Sequence, residues 1–242
     1  MITKTVNRND DVGGEGFVEE AFEKGDHVPE DRRVGNWRKA KVWRVAEVVF
    51  VVLELIGCCL GGETANENLW RVWLEPKSTH APVTLPVAGA ERTVLCAGFM
   101  EEEGPRAMTR EELAGMGVEM VRFAARARQN AQGDLAALKP RYVRNRQRVI
   151  EYAELHSERP VVAGAVLAPK FLALWKDTLG EKVLVVVPNR FTAYVFPALS
   201  GKHPDYAPMV LEALRATAWP VSVELLEVSA DGVRCVGRYA EP

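Results

Sequence analysis

Residues 182–196 and 223–239 each read as a β-hairpin, and they constrain the fold more than any other feature of the chain. Lys182-Val-Leu-Val-Val-Val187 is a continuous apolar run of mostly β-branched residues, the composition of a buried strand. Pro188-Asn189-Arg190 supplies a turn, and Phe191-Thr-Ala-Tyr-Val-Phe196 returns from it. Val223 to Val228 and Val233 to Tyr239 repeat the arrangement around Ala230-Asp231-Gly232. A helix is expected ahead of each hairpin. The first runs from Phe171 to Gly180, with Gly180 as its stop. The second runs from a capping Asp205 through Ala218, with Pro208 tolerated in its first turn and Met209, Val210, Ala213, Leu214 and Thr217 on its buried side. Hairpin sheets are antiparallel and need cover. The expected class is therefore α+β, with antiparallel hairpins and helices packed on one face.

The middle of the chain extends this pattern. Asn68 to Glu75 is rich in aromatic and branched residues and predicts a strand. Pro82 to Val87 predicts a short edge strand, because its prolines limit the ladder. Thr93 to Phe99 predicts a third strand, with Cys96 as a small core residue. Thr109-Arg-Glu-Glu112 is a capping box. The apolar positions Leu113, Met116, Met120, Phe123, Ala124 and Ala127 then predict one helix ending near Gly133. After Pro140, the stripe Tyr142, Val149, Ile150 and Ala153 predicts a second, shorter helix.

The first 62 residues differ in texture. Residues 1–36 hold nine acidic and five basic side chains, a net charge of −4 within a chain whose total is −2. With five Gly and few large apolar residues, this arm is expected to be disordered. Gly13-Gly14-Glu15-Gly16 lacks the Lys-Ser/Thr of a phosphate loop. Residues 37–62 place Arg38, Lys39, Lys41 and Arg44 before the apolar run Val45–Leu60, a pattern of export signals. Leu55-Ile56-Gly57-Cys58 fits a lipoprotein cleavage box. Glu47 and Glu54 oppose membrane insertion, and the run is shorter than the roughly 20 residues of a spanning helix. The expectation is a buried element in a cytoplasmic protein. The alternatives are an envelope lipoprotein anchored at Cys58, or extra chain ahead of a downstream start. Residues 63–158 and 159–242 are expected to form an N-terminal and a C-terminal half.

No catalytic constellation stands out. His27, His80, His156 and His203 have neither metal-ligand spacing nor a neighbouring cysteine. Cys58-Cys59 is not spaced as a redox or zinc pair. Nucleophile-elbow, Walker, HExxH and kinase signatures are absent, so no cofactor, metal or catalytic residue is expected. One charge feature rises above this background. Arg122, Arg126, Arg128, Lys139, Arg141, Arg144, Arg146 and Arg148 face only Asp134, a net charge of +7 over 27 residues. Such a run can hold phosphates or form a solvated face paired with Glu-rich stretches. On a helix, Arg141, Arg144 and Arg148 would share a face. Tyr142 is the one aromatic among the last five cations, so the stacking platform of a single-strand binder is missing. Asn189 and Arg190, at a hairpin tip, complete the candidate binding residues.

The run Leu179-Gly-Glu-Lys-Val-Leu-Val-Val-Val-Pro-Asn-Arg190, then Tyr194-Val-Phe196, a helix and Pro220-Val-Ser-Val-Glu-Leu-Leu226, resembles the YtpQ-like family of bacterial proteins, a domain of unknown function. The resemblance spans about residues 160–240. It implies a soluble bacterial α+β protein and supplies no catalytic residues. The expected function is a non-catalytic module that binds a protein or peptide through exposed hairpin edges. The alternatives are binding of nucleic acid or another polyanion through 122–148, and a hydrolase using Cys96 or a pair of Glu residues. Membrane contact is expected only if 45–60 acts as a leader or anchor.

Overall fold

The branched and aromatic residues after Leu69 form strand β1 (Trp70–Pro76) in a computed structural model that describes residues 67–240. It pairs antiparallel with β3 (Thr93–Glu101), from Trp70 opposite Phe99 to Pro76 opposite Thr93. Two short strands, β2 (Thr84–Pro86) and β4 (Gly104–Ala107), share the other edge of β3. The expected edge position of the proline-bearing strand is thus observed. The expected arm 1–36 and the basic and apolar segment 37–62, with Cys58 and Cys59, lie outside the described residues. Among the described residues, no helix is long and apolar enough to cross a membrane.

The capping box forms as read. Glu112 N–H donates to Thr109 Oγ1 at 3.1 Å, and Thr109 N–H donates to Glu112 Oε2 at 2.7 Å. The helix it opens is shorter than expected. α1 (Arg110–Met116) stops at Gly117, whose left-handed conformation (φ 61°) ends a helix cleanly. α2 (Met120–Ala137) then runs through Gly133 instead of stopping there. Its buried stripe of Phe123, Ala124, Ala127, Ala131 and Leu135 outweighs the roughly 1 kcal/mol that a mid-helix glycine costs.

The helix expected after Pro140 is a β-hairpin: β5 (Arg141–Arg144) and β6 (Ile150–His156). Its apolar residues alternate between two faces, Ala153 and Leu155 on one and Tyr152 on the other. Asn145 Oδ1 fixes the turn by accepting the Gln147 and Val149 amides. The helix expected at 171–180 is also corrected. α3 (Val162–Ala165) precedes it, and a run of tight turns containing one 3-10 turn (Leu172–Leu174) takes its place. Pro169 cannot extend a helix from upstream, and Phe171 and Trp175 are both buried.

β7 (Val183–Asn189), β8 (Thr192–Pro197), β9 (Glu224–Ser229) and β10 (Gly232–Arg238) form the two expected hairpins. Between them lies α4 (Ala207–Arg215), with Pro208 in its first turn. Asp205 does not cap it. That residue sits in a preceding 3-10 turn (His203–Tyr206), and Tyr206 occupies the cap position without a side-chain bond. The six-stranded antiparallel sheet runs β10-β9-β7-β8-β6-β5, so strands on both sides of residue 159 share it. Val183, Val185, Val195 and Leu226 face a core with α2, α3 and the first sheet. Leu184, Val186, Tyr194 and Phe196 face a second core, with Val210 and Leu211 of α4. The class is α+β, and helices cover both faces of the larger sheet.

Candidate functional site

Neither of the tip residues Asn189 and Arg190 faces solvent. Asn189 is buried; its Nδ2 donates to Ala213 O at 2.9 Å, and its Oδ1 accepts the Phe191 amide at 2.9 Å. The Arg190 side chain is 11% exposed and pairs with Glu75 of β1 at 2.8 Å. Its guanidinium lies 4.4 Å from the ring centroid of Trp219 and 5.7 Å from that of Trp73. Trp73 Nε1 donates to the same Glu75 oxygen at 2.8 Å. The tip therefore fastens the larger sheet to β1 and to the end of α4.

Cys96 lies beside this cluster, opposite Trp73 in the β1–β3 register and 1% exposed. Burial, reinforced by the Glu75 charge and opposed by Arg190, pushes its thiol up to about 12. A thiol in that state is a poor nucleophile at neutral pH. Iodoacetamide at pH 8 should leave Cys96 unmodified in the native protein and alkylate it in urea, as read by peptide mass spectrometry. Rapid native alkylation would contradict this burial. Among the described residues, no group of three His, Cys, Asp or Glu side chains is placed to hold a metal.

The cationic stretch divides in two. On α2, Arg122 pairs with Glu67 at 3.0 Å and Arg126 donates to Asn68 Oδ1 at 2.8 Å. Asp134 is engaged by Arg71 at 2.9 Å. These arginines hold the start of β1 against α2 and do not form a phosphate track. Arg128, also on α2, is exposed. The other five cations lie at or just before the β5–β6 hairpin, so Arg141, Arg144 and Arg148 lie on a strand and its turn and share no helical face. Arg141 pairs with Glu154 across the hairpin. Arg144 donates to Arg148 O at 2.9 Å, and Arg148 takes a left-handed conformation (φ 64°). Lys139, Arg144, Arg146 and Arg148 are exposed, and among the described residues none has a carboxylate within ion-pair distance.

β5 is also the last strand of its sheet. In an antiparallel ladder alternate residues turn both N–H and C=O away from the partner. Among the described residues, no backbone hydrogen bond reaches β5 from its outer side. The aromatic of this segment points inward: Tyr142 packs edge-on against the buried Trp175, centroids 6.4 Å apart. The Arg190 tip and the Arg148 turn lie at opposite ends of the sheet, since His156 pairs with Thr192 while the turn precedes Ile150. The sequence placed the cations but not Lys139 and Arg146 as the unpaired ones. Acid-free 139–148 beside Pro140 was the available signal. Comparison with family models, curated proteins and solved structures finds no match to this chain.

Proposed function

We propose that the protein is a non-catalytic interaction module that takes an extended, acidic segment of a partner protein as an added strand beside β5. The observation that carries this is the coincidence of an unpaired strand edge with four exposed cations lacking acidic partners. Edge strands offer a row of backbone donors and acceptors, and lysine or arginine along them disfavours casual pairing. A partner strand bearing carboxylates satisfies both the backbone and the charge. Nucleic acid is the weaker fit. Tyr142 is not presented for base stacking, and two of the helix arginines, Arg122 and Arg126, are engaged with Glu67 and Asn68.

We also propose a relation of the C-terminal part to the YtpQ-like family, on the runs Leu179–Arg190 and Pro220–Leu226 alone. We place the protein in the cytoplasm; membrane fractionation with and without Cys58→Ala tests the lipoprotein alternative.

The binding test uses the full chain and a labelled alternating Glu-Val hexapeptide, read by fluorescence anisotropy. Binding is expected, with loss on N-methylation of alternate peptide amides. A combined Arg144→Glu and Arg146→Glu change should weaken it by about 30-fold. Equal binding of the N-methylated peptide would sink strand addition. Tighter, steeply salt-dependent binding of a single-stranded oligonucleotide would replace it with polyanion binding.

A further inference from the structure

The end of the larger sheet away from the Arg190 tip carries two uncovered apolar side chains. β6 and β8 run antiparallel, with Ala153 opposite Val195, so the start of β6 lies beside the end of β8. Val149, immediately ahead of β6, is 60% exposed, and Leu199, two residues past β8, is 100% exposed. Turns ordinarily take Gly, Asn, Asp or Ser. A single exposed apolar residue is common enough to need no account. Two on neighbouring tips, set among cations, do need one.

Both tips are built to hold their side chain out. Leu199 is a central residue of a turn closed by Ser200 N–H, which donates to Pro197 O at 3.2 Å. The loop is fastened to β6 through Glu151, which accepts from Lys202 Nζ at 3.3 Å and from Tyr206 O–H at 2.8 Å. In the other tip, Asn145 N–H donates to Val149 O and Arg148 N–H donates to Asn145 O, each at 2.9 Å. Asn145 Oδ1 accepts the Val149 amide, also at 2.9 Å. The backbone of Val149 is thus fixed on both sides.

The surrounding charge is cationic. Residues 144–151 and 197–202 hold Arg144, Arg146, Arg148 and Lys202 against the single acid Glu151, a net charge of +3. Counting Asp205 of the 3-10 turn that follows leaves +2. Glu181 and Glu227, on the neighbouring part of the sheet, are paired with Lys176 and with Lys182 and Arg234.

We propose that this end of the sheet docks on an anionic phospholipid bilayer, with Leu199 and Val149 entering among the headgroups and Arg144, Arg146 and Arg148 against lipid phosphates. Anionic bilayers attract clustered lysine and arginine, and apolar side chains gain by leaving water at the headgroup boundary. A fluid surface receives two separate tips singly, whereas a folded partner would need a matching pocket for each. This docking goes beyond strand addition, which uses the outer edge of β5 and does not involve Leu199.

Sedimentation of the full chain with vesicles tests the assignment. Phosphatidylcholine vesicles containing about 30% phosphatidylserine should bind the protein at least about tenfold better than vesicles of phosphatidylcholine alone. Leu199→Ser combined with Val149→Ser should weaken that partition by about 30-fold. Arg148→Asn, which tolerates the same left-handed backbone, should weaken it by about fivefold. All three positions are exposed, and circular dichroism checks the fold of each variant. Leu199→Ser alone should leave binding of the Glu-Val hexapeptide unchanged, so the two sites fail separately. Equal binding to both kinds of vesicle, or an unchanged partition in the folded double variant, overturns the assignment. Loss of hexapeptide binding in Leu199→Ser would make the tips part of a protein-binding surface and overturn it as well.

Discussion

Replacing Arg190 with Ala should destabilise the protein by about 3–5 kcal/mol, the usual consequence of removing one member of a buried ion pair. The carboxylate of Glu75 would stay behind, 7% exposed, with, among the described residues, only the Trp73 indole N–H to satisfy it. A buried charge without its partner keeps its desolvation penalty and loses the compensation. The guanidinium also fills the space between Trp73 and Trp219, where stacked cations contribute about 0.5–2 kcal/mol. Arg190→Lys should fall between the parent and Ala, because an ammonium restores charge but not the flat, two-sided contact. Paired replacement with Glu75→Leu and Arg190→Met should recover much of the loss. Urea unfolding followed by circular dichroism measures all four. A loss under 1 kcal/mol in Arg190→Ala would show that the pair is not a fastening of the fold.

The same residue shows how far sequence reading reaches. The hairpin around Asn189 and Arg190 was legible because strand period and turn residues are local properties. The inward turn of Arg190 was not, since its partner Glu75 is 115 residues away in sequence. The β5–β6 hairpin was missed for a related reason. Tyr142, Val149, Ile150 and Ala153 fit a helical stripe, and only the unpaired edge of β8, met by Ala153 to His156, makes a strand the better solution. Tertiary pairing overrode a local period. At Gly117 the error was one of competing stops: three glycines, 115, 117 and 133, lay in one apolar pattern. Gly117 takes the left-handed conformation that ends a helix, whereas Gly133 stays helical and the helix passes through it. The basic cluster was visible as composition, but its division into paired and unpaired cations depends on Glu67, Asn68 and Glu154.

Gly98→Ala should destabilise the fold by about 3 kcal/mol, at the upper end of what overpacking usually costs. A Cβ at Gly98 would lie 2.0 Å from the Arg106 carbonyl oxygen and 2.7 Å from Cη2 of Trp73. The first obstacle is backbone of β4, which pairs with β3 at Gly98 opposite Ala107. Relief therefore requires parting β4 from β3. That movement would pull on the buried Met108, whose amide donates to Ala97 O at 2.9 Å, and on the capping box that follows it. The second obstacle is the indole stacked on Arg190, so displacing it weakens the ion-pair cluster as well. The two sites are thus coupled, and Gly98→Ala combined with Arg190→Ala should cost less than the sum of the single changes. Gly133→Ala is the control. At that exposed helical position the same added methyl should stabilise by about 0.5–1 kcal/mol. Urea midpoints for the three variants and the parent decide the matter. If Gly98→Ala unfolds within 0.5 kcal/mol of the parent, the close approach of β4 and Trp73 to β3 is not what requires glycine there.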